Sequence, residues 1–208
     1  MSQAPIFPPG SGSDHPTGRG IGVAVLDTGC FPHEDYKGRI AAFFDMVRRR
    51  RLPYDDNGHG THVCGIIGGD GSASGGRFCG VAPGCHLIPV KVLDKRGGGY
   101  VSDVLSGLHT VLQQRDHYNI RVVNVSVGSF SGRNMSENSA LVRGVEEIWD
   151  AGFVVVVAAG NMGPGENFTG AAPEATLIII KVKPAKQYLR NFYLYPPEAE
   201  AFQENDVM

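Results

Sequence analysis

The sequence predicts an α/β domain built on a doubly wound, mainly parallel β-sheet. Three observations lead there. Short apolar runs at residues 21–26, 86–93, 121–127 and 153–159 have the length and continuity of strands buried on both faces. Segments of helical periodicity at 59–69, 102–117 and 136–151 lie between them, the alternation that right-handed crossovers produce. Asp27 and Asn161 follow the first and last runs, at the carboxyl edge where open α/β sheets place ligands.

The bulk properties bound the answer. With 208 residues, 42% of them hydrophobic, the chain is long enough for one cored domain. A net charge of −2 makes no general electrostatic case for a nucleic-acid partner. No basic start followed by an apolar run opens the chain, and its longest apolar stretch, 153–159, is too short for a bilayer span. The expectation is a cytoplasmic chain with no membrane partner. Without an export signal, Cys30, Cys64, Cys79 and Cys85 read as free thiols, serving in packing.

In chain order, residues 1–17 form a loose arm rich in Pro, Gly and Ser. Gly18-Arg19-Gly20-Ile21-Gly22 precedes the first strand, whereas a phosphate-binding turn must follow one. The strand at 21–26 delivers Asp27 at its end. Asp27-Thr28-Gly29 is good turn chemistry, so Asp27 is either a turn former or a functional acid. A single Asp-Thr-Gly would serve an aspartic protease only in a symmetric dimer, and the helical segments argue against that. Residues 31–56 are loop-rich. They carry Arg48-Arg49-Arg50-Arg51, read as a solvated loop because Asp45, Asp55 and Asp56 are near in sequence.

His59 opens the first helix, with Val63, Ile66 and Ile67 as its apolar stripe and Asn57 as its cap. His62 lies about 60° from His59 around the helix, and Cys64 about 140° away, so Cys64 is a poor partner for His59. Zinc on His59 and His62 lacks a clear third ligand. A lone helix histidine is usually structural, but Gly58 and Gly60 clear space for a close approach, which favours a working one. Further on, Ser102 caps a helix with Val104, Leu105, Leu108, Val111 and Leu112 on one face. The helix at 136–151, through Leu141, Val142, Val145, Ile148 and Trp149, is stopped by Gly152. Asn161, taken alone, reads as a turn residue before Gly163 and Pro164.

Four ordered motifs change the picture. Val25-Leu26-Asp27-Thr28-Gly29, Asn57-Gly58-His59-Gly60-Thr61-His62-Val63-Cys64-Gly65, Val123-Asn124-Val125-Ser126-Val127-Gly128 and Val157-Ala158-Ala159-Gly160-Asn161 resemble the subtilisin-like serine proteases, the subtilase family S8. Pro32-His33-Glu34-Asp35, Asp45-Met46-Val47, Pro53-Tyr54-Asp55-Asp56-Asn57 and Val90-Lys91-Val92-Leu93 look most like its intracellular, AprX-type bacterial members. The similarity places a peptidase domain at 18–173, incomplete at its C-terminus, followed by a divergent tail at 174–208.

The resemblance implies a serine endopeptidase acting on a peptide or protein substrate with no cofactor. Asp27 matches the triad acid and His59 the general base. His62 matches a non-catalytic histidine of the same helix. Asn161 matches the side-chain donor of the oxyanion hole, a group worth about 3 kcal/mol in subtilisin itself. Ser126, Val127 and Gly128 match the strand edge that binds an extended peptide, and Ala158, Ala159 and Gly160 match one wall of the primary specificity pocket. Asp35 matches a calcium ligand of secreted relatives, but the loop at 68–80 lacks their asparagine ligands, so no metal is carried over.

One departure dominates. The family nucleophile lies in a Gly-Thr-Ser-Met-Ala-type motif downstream of the oxyanion asparagine, yet no serine follows Ser139 here. Ser126, Ser129, Ser131, Ser136 and Ser139 come too early, and Thr169 and Thr176 lack the motif. The chain is therefore expected to be inactive alone, since losing the serine costs on the order of a million-fold in turnover in subtilisin itself. The tail, with Tyr188, Phe192, Tyr193 and Tyr195 but no periodicity, reads as the product of truncation or a frameshift. Alternatives are a non-catalytic peptide-binding pseudo-protease, an unstable fragment that exposes apolar surface, or a site completed by a second chain.

Overall fold

The structure, a computed structural model, describes residues 16–129, 140–158 and 193–195, leaving aside the side chains of 128–129 and 193–195. Its strands are β1 (Gly22–Asp27), β2 (Phe44–Asp45), β3 (His86–Lys91), β4 (Gly98–Tyr100), β5 (Ile120–Val125), β6 (Gly128–Ser129), β7 (Val154–Val157) and β8 (Tyr193–Tyr195). Its helices are α1 (His59–Gly68), α2 (Val101–Gln114) and α3 (Ala140–Asp150).

Five strands form one parallel sheet in the order β2-β3-β1-β5-β7. β1 is its centre and is buried along its whole length. The chain leaves β1 toward β3, then crosses back over β1 to β5 and β7. The winding therefore reverses beside β1, and Asp27 stands at the carboxyl end of that strand, where such a reversal opens a crevice.

Alternation along β1 divides the core. Val23 and Val25 pack with Cys30, Tyr36, Cys64, Cys85 and Leu87 under α1. Ala24 and Leu26 pack with Ile88, Val90, Val104, Leu108, Leu141 and Ile148 under α2 and α3. Helices thus cover both faces, as a doubly wound sheet requires.

α1 departs from the expected stripe. Its buried residues are Gly60, Cys64 and Gly68, while Ile66 is exposed and Val63 and Ile67 are only partly buried. Small residues four apart let the helix lie close on the sheet: a Cβ at Gly60 would stand 2.2 Å from the Gly29 carbonyl oxygen. The expected cap also moves, because Gly58, at φ 102°, holds the N-cap position rather than Asn57. α2 starts on Tyr100 with no side-chain cap, so Ser102 lies inside it. Gly152, at φ 85°, follows α3 as expected, whereas Ser136 lies outside the described residues.

Register fixes one uncovered stripe. Val23, Val122 and Val154 share the α1 face, as do Val25, Asn124 and Val156. α1 covers the β1 end of those rows. At the β7 end Val154 and Val156 are 58% and 49% exposed, and no described element lies over them. A second, three-stranded sheet runs β4-β8-β6, with both pairings parallel. Among the described residues, no helix is long and apolar enough to cross a membrane.

Candidate active site

The site begins with Asp27. Its carboxylate is fully buried at the end of β1, and its backbone oxygen accepts from Val92 N (2.9 Å) and Leu93 N (3.2 Å). One carboxylate oxygen accepts the Thr28 N–H at 2.6 Å. His59 meets the same carboxylate through Nδ1, at 2.8 Å from Oδ1 and 3.0 Å from Oδ2, and its side chain is 32% exposed. A carboxylate can only accept from Nδ1–H, so this contact selects the tautomer whose basic lone pair is on Nε2. The buried acid and half-buried imidazole form an oriented base.

His59 is placed by the way α1 begins. All four orphan N–H groups of its first turn have acceptors. Gly58 N donates to Asp55 Oδ1 (2.9 Å), His59 N to Asn57 Oδ1 (3.2 Å), Gly60 N to Thr28 Oγ1 (2.9 Å) and Thr61 N to Asp55 Oδ2 (2.9 Å), after which His62 N makes the first bond within the helix, to Gly58 O (3.1 Å). Gly60 therefore serves a close approach of α1 to the Gly29 backbone and the Asp27 carboxylate. Gly29, at φ 119°, faces the Tyr54 carbonyl and bridges to Asp55.

Two residues that stand in the motifs, but to which the sequence assigns no role, hold this junction. Asp55 accepts from Thr28 Oγ1, Asn57 N, Gly58 N, Thr61 N and Thr61 Oγ1, at 2.6–3.0 Å. Burial pushes its carboxyl up, but the hydrogen bonds from Gly58, Thr61 and Asn57 outweigh it and hold the group below the ordinary carboxylate value. The Asp55-Asp56-Asn57-Gly58 run, rich in turn formers, was its signal. Lys91 is fully buried, and its Nζ donates to Thr28 O (2.5 Å), Leu93 O (2.8 Å) and Asp56 Oδ1 (2.8 Å). A lone cation in an apolar strand run was the clue, because a buried charge needs partners.

The other expected residues stand as follows. Ser126 N donates to Leu26 O at 3.2 Å, one residue from Asp27, and Asn124 Nδ2 donates to Ser126 Oγ at 2.7 Å. Val127 is buried in the main core, so its side chain anchors the segment. The paired edge is Gly128–Ser129, overlapping the expected one only at Gly128. Ala158 N donates to Val125 O at 3.1 Å, extending the sheet past β7. Ala159, Gly160 and Asn161 lie outside the described residues.

Cys64 lies on the buried face of α1 and packs with Cys30, and hydrogen bonding from the Cys64 thiol holds the Cys30 thiol below its ordinary value. All four cysteines are free, but Cys79 is exposed, so packing accounts for Cys30, Cys64 and Cys85 and not for Cys79. Residues Arg48 to Arg51 are exposed, and the Asp45 carboxylate organises their loop by accepting from Val47, Arg48 and Arg50 N–H groups. Among the described residues, no group of three or more His, Cys, Asp or Glu is placed to hold a metal ion.

Comparison with known proteins agrees with this architecture. The pattern of the Subtilase family, Peptidase S8, matches residues 18–187. Serine protease AprX of Bacillus subtilis (strain 168) is 44% identical over 170 residues, which cover 80% of this chain and 38% of that protein. Thermitase of Thermoactinomyces vulgaris is 35% identical over 147 residues, covering 70% and 49%. The crystal structure of a cold adapted subtilisin-like serine proteinase superposes with a TM-score of 0.59 at 32% identity, covering 76% of this chain and 53% of that one. The chain thus spans about half or less of the length of these relatives. It belongs to the subtilase family.

Proposed function

We propose that this chain carries the acid–base half of a subtilisin-type serine endopeptidase and lacks the nucleophile, so that alone it cleaves nothing. The supporting observation is the His59 Nδ1 contact to the buried Asp27 carboxylate. In the complete reaction, His59 Nε2 takes the proton of an attacking hydroxyl, Asp27 stabilises the imidazolium, and Asn161 donates to the oxyanion. A peptide or protein substrate lies along the Ser126–Gly128 segment, and the Ala158–Gly160 segment walls its side-chain pocket. No serine after Ser139 stands in the position family order demands. The exposed Val154 and Val156 favour a further segment or second chain that covers this face and brings the nucleophile. Free thiols fit a reducing, cytoplasmic setting.

A fluorophosphonate probe tests the reading. Purified chain should take up no label, as seen by intact mass. Labelling of any serine within residues 1–208 overturns it.

A second reading, a peptide-binding protein without catalysis, is favoured by the strand pairing at β4 and β6. Peptide titration followed by amide spectra separates the two: binding without turnover supports it, and an unchanged spectrum removes it.

A further inference from the structure

Strand β8 comes from the tail, yet it does not pair with β7, the strand before it in sequence. Tyr193, Leu194 and Tyr195 align in parallel with Gly98, Gly99 and Tyr100 of β4, while Tyr193 and Leu194 align with Gly128 and Ser129 of β6. The backbone of the tail thus fills the slot between two short edges. β6 continues directly from Ser126 and Val127, the segment assigned above to an extended peptide. β4 is a firm edge: a Cβ at Gly99 would stand 2.4 Å from Val92 O, and Asp94 N donates to Gly98 O at 2.7 Å.

We propose that residues 193–195 act as a built-in occupant of the peptide slot between β4 and β6, so that an incoming peptide must displace the chain's own tail. This rests on the reading of that slot as peptide-binding. Extended peptides and β8 use the same main-chain donors and acceptors, so they exclude each other. A tethered strand competes at an effective concentration in the millimolar range. If the slot stands open about a tenth of the time, apparent affinity for an external peptide falls about tenfold.

The test uses the full chain and a fluorescein-labelled synthetic peptide with the sequence of residues 190–197. Leu194→Pro removes a donor from the middle of a strand paired on both edges. The variant should bind the peptide about tenfold more tightly than the parent. Its Gly99 and Ser129 amides should exchange faster, and added peptide should restore their protection.

A second variant guards against misfolding. Tyr100→Cys with Tyr195→Cys, in a Cys79→Ser background, joins positions in register on neighbouring strands, about 4.8 Å apart and within disulfide range. Oxidation should abolish peptide binding and reduction restore it. Equal peptide affinity in parent and Leu194→Pro, or failure of the cysteines to cross-link, overturns self-occupation and leaves the peptide slot standing. If neither Leu194→Pro nor the reduced double variant binds peptide, the slot reading itself fails.

Discussion

Gly60→Ala tests how the base is held against its acid. A Cβ there would stand 2.2 Å from Gly29 O, 3.0 Å from Gly29 N and 3.1 Å from Asp27 Oδ1. The carbonyl is backbone in a bridged turn and cannot swing aside, so the start of α1 must retreat by about 1 Å to reach ordinary contact. The same retreat takes the Gly60 N–Thr28 Oγ1 bond from 2.9 Å, and the His59–Asp27 contact from 2.8 Å, past hydrogen-bonding distance. Overpacking costs about 1–3 kcal/mol. Two lost hydrogen bonds, one to a charged and buried carboxylate, add about 2–3 kcal/mol. The expected total is about 3–6 kcal/mol, read from the urea midpoint, with loss of the downfield His59 ring N–H signal. Gly65→Ala is the control on the same helix. Nothing lies within 4 Å of its added Cβ, and a helix-interior alanine should stabilise by about 0.5–1 kcal/mol. A Gly60→Ala loss below about 1 kcal/mol with the ring signal intact would refute the reasoning.

Lys91→Met keeps an unbranched apolar stem but removes the ammonium, stranding the Thr28 and Leu93 carbonyls and the Asp56 carboxylate, and should cost about 3–5 kcal/mol in chemical denaturation. Asp45 and Asp55 both titrate below the ordinary carboxylate value; in each, burial works the other way and hydrogen bonds prevail. Their contribution is therefore fully present above about pH 4 and is lost as pH falls through the lowered folded-state values. Denaturation between pH 5 and 2 should show this loss, and Asp55→Asn should flatten it. Val154→Thr, on the uncovered stripe, should change stability by less than about 0.5 kcal/mol, whereas Leu26→Ala in the core should cost about 3–5 kcal/mol. Equal penalties at the two sites would mean that β7 is covered.

The main sheet was legible because buried parallel strands announce themselves as continuous apolar runs, as in β1, β3, β5 and β7. β2, β4, β6 and β8 were not, since two or three residues carry no period. The buried face of α1 was misjudged for a related reason. Apolar periodicity points to Val63, Ile66 and Ile67, but close packing on β1 selects Gly60, Cys64 and Gly68, whose small size contributes little to any hydrophobic pattern. Asp27 and His59 were legible as members of ordered motifs. The roles of Asp55 and Lys91 were not, although both stand in quoted stretches, because they lie in hydrogen bonds between segments far apart in the chain.

The state of the His59 ring tests the central claim most directly. Nitrogen-15 NMR of histidine-labelled protein at neutral or mildly alkaline pH distinguishes the two neutral tautomers. The Asp27 contact predicts a proton on Nδ1 and a basic Nε2, reversed in Asp27→Asn, whose amide can donate to Nδ1. A parent spectrum with the proton on Nε2, or one unchanged by Asp27→Asn, would contradict the assignment of His59 as a base held by its acid.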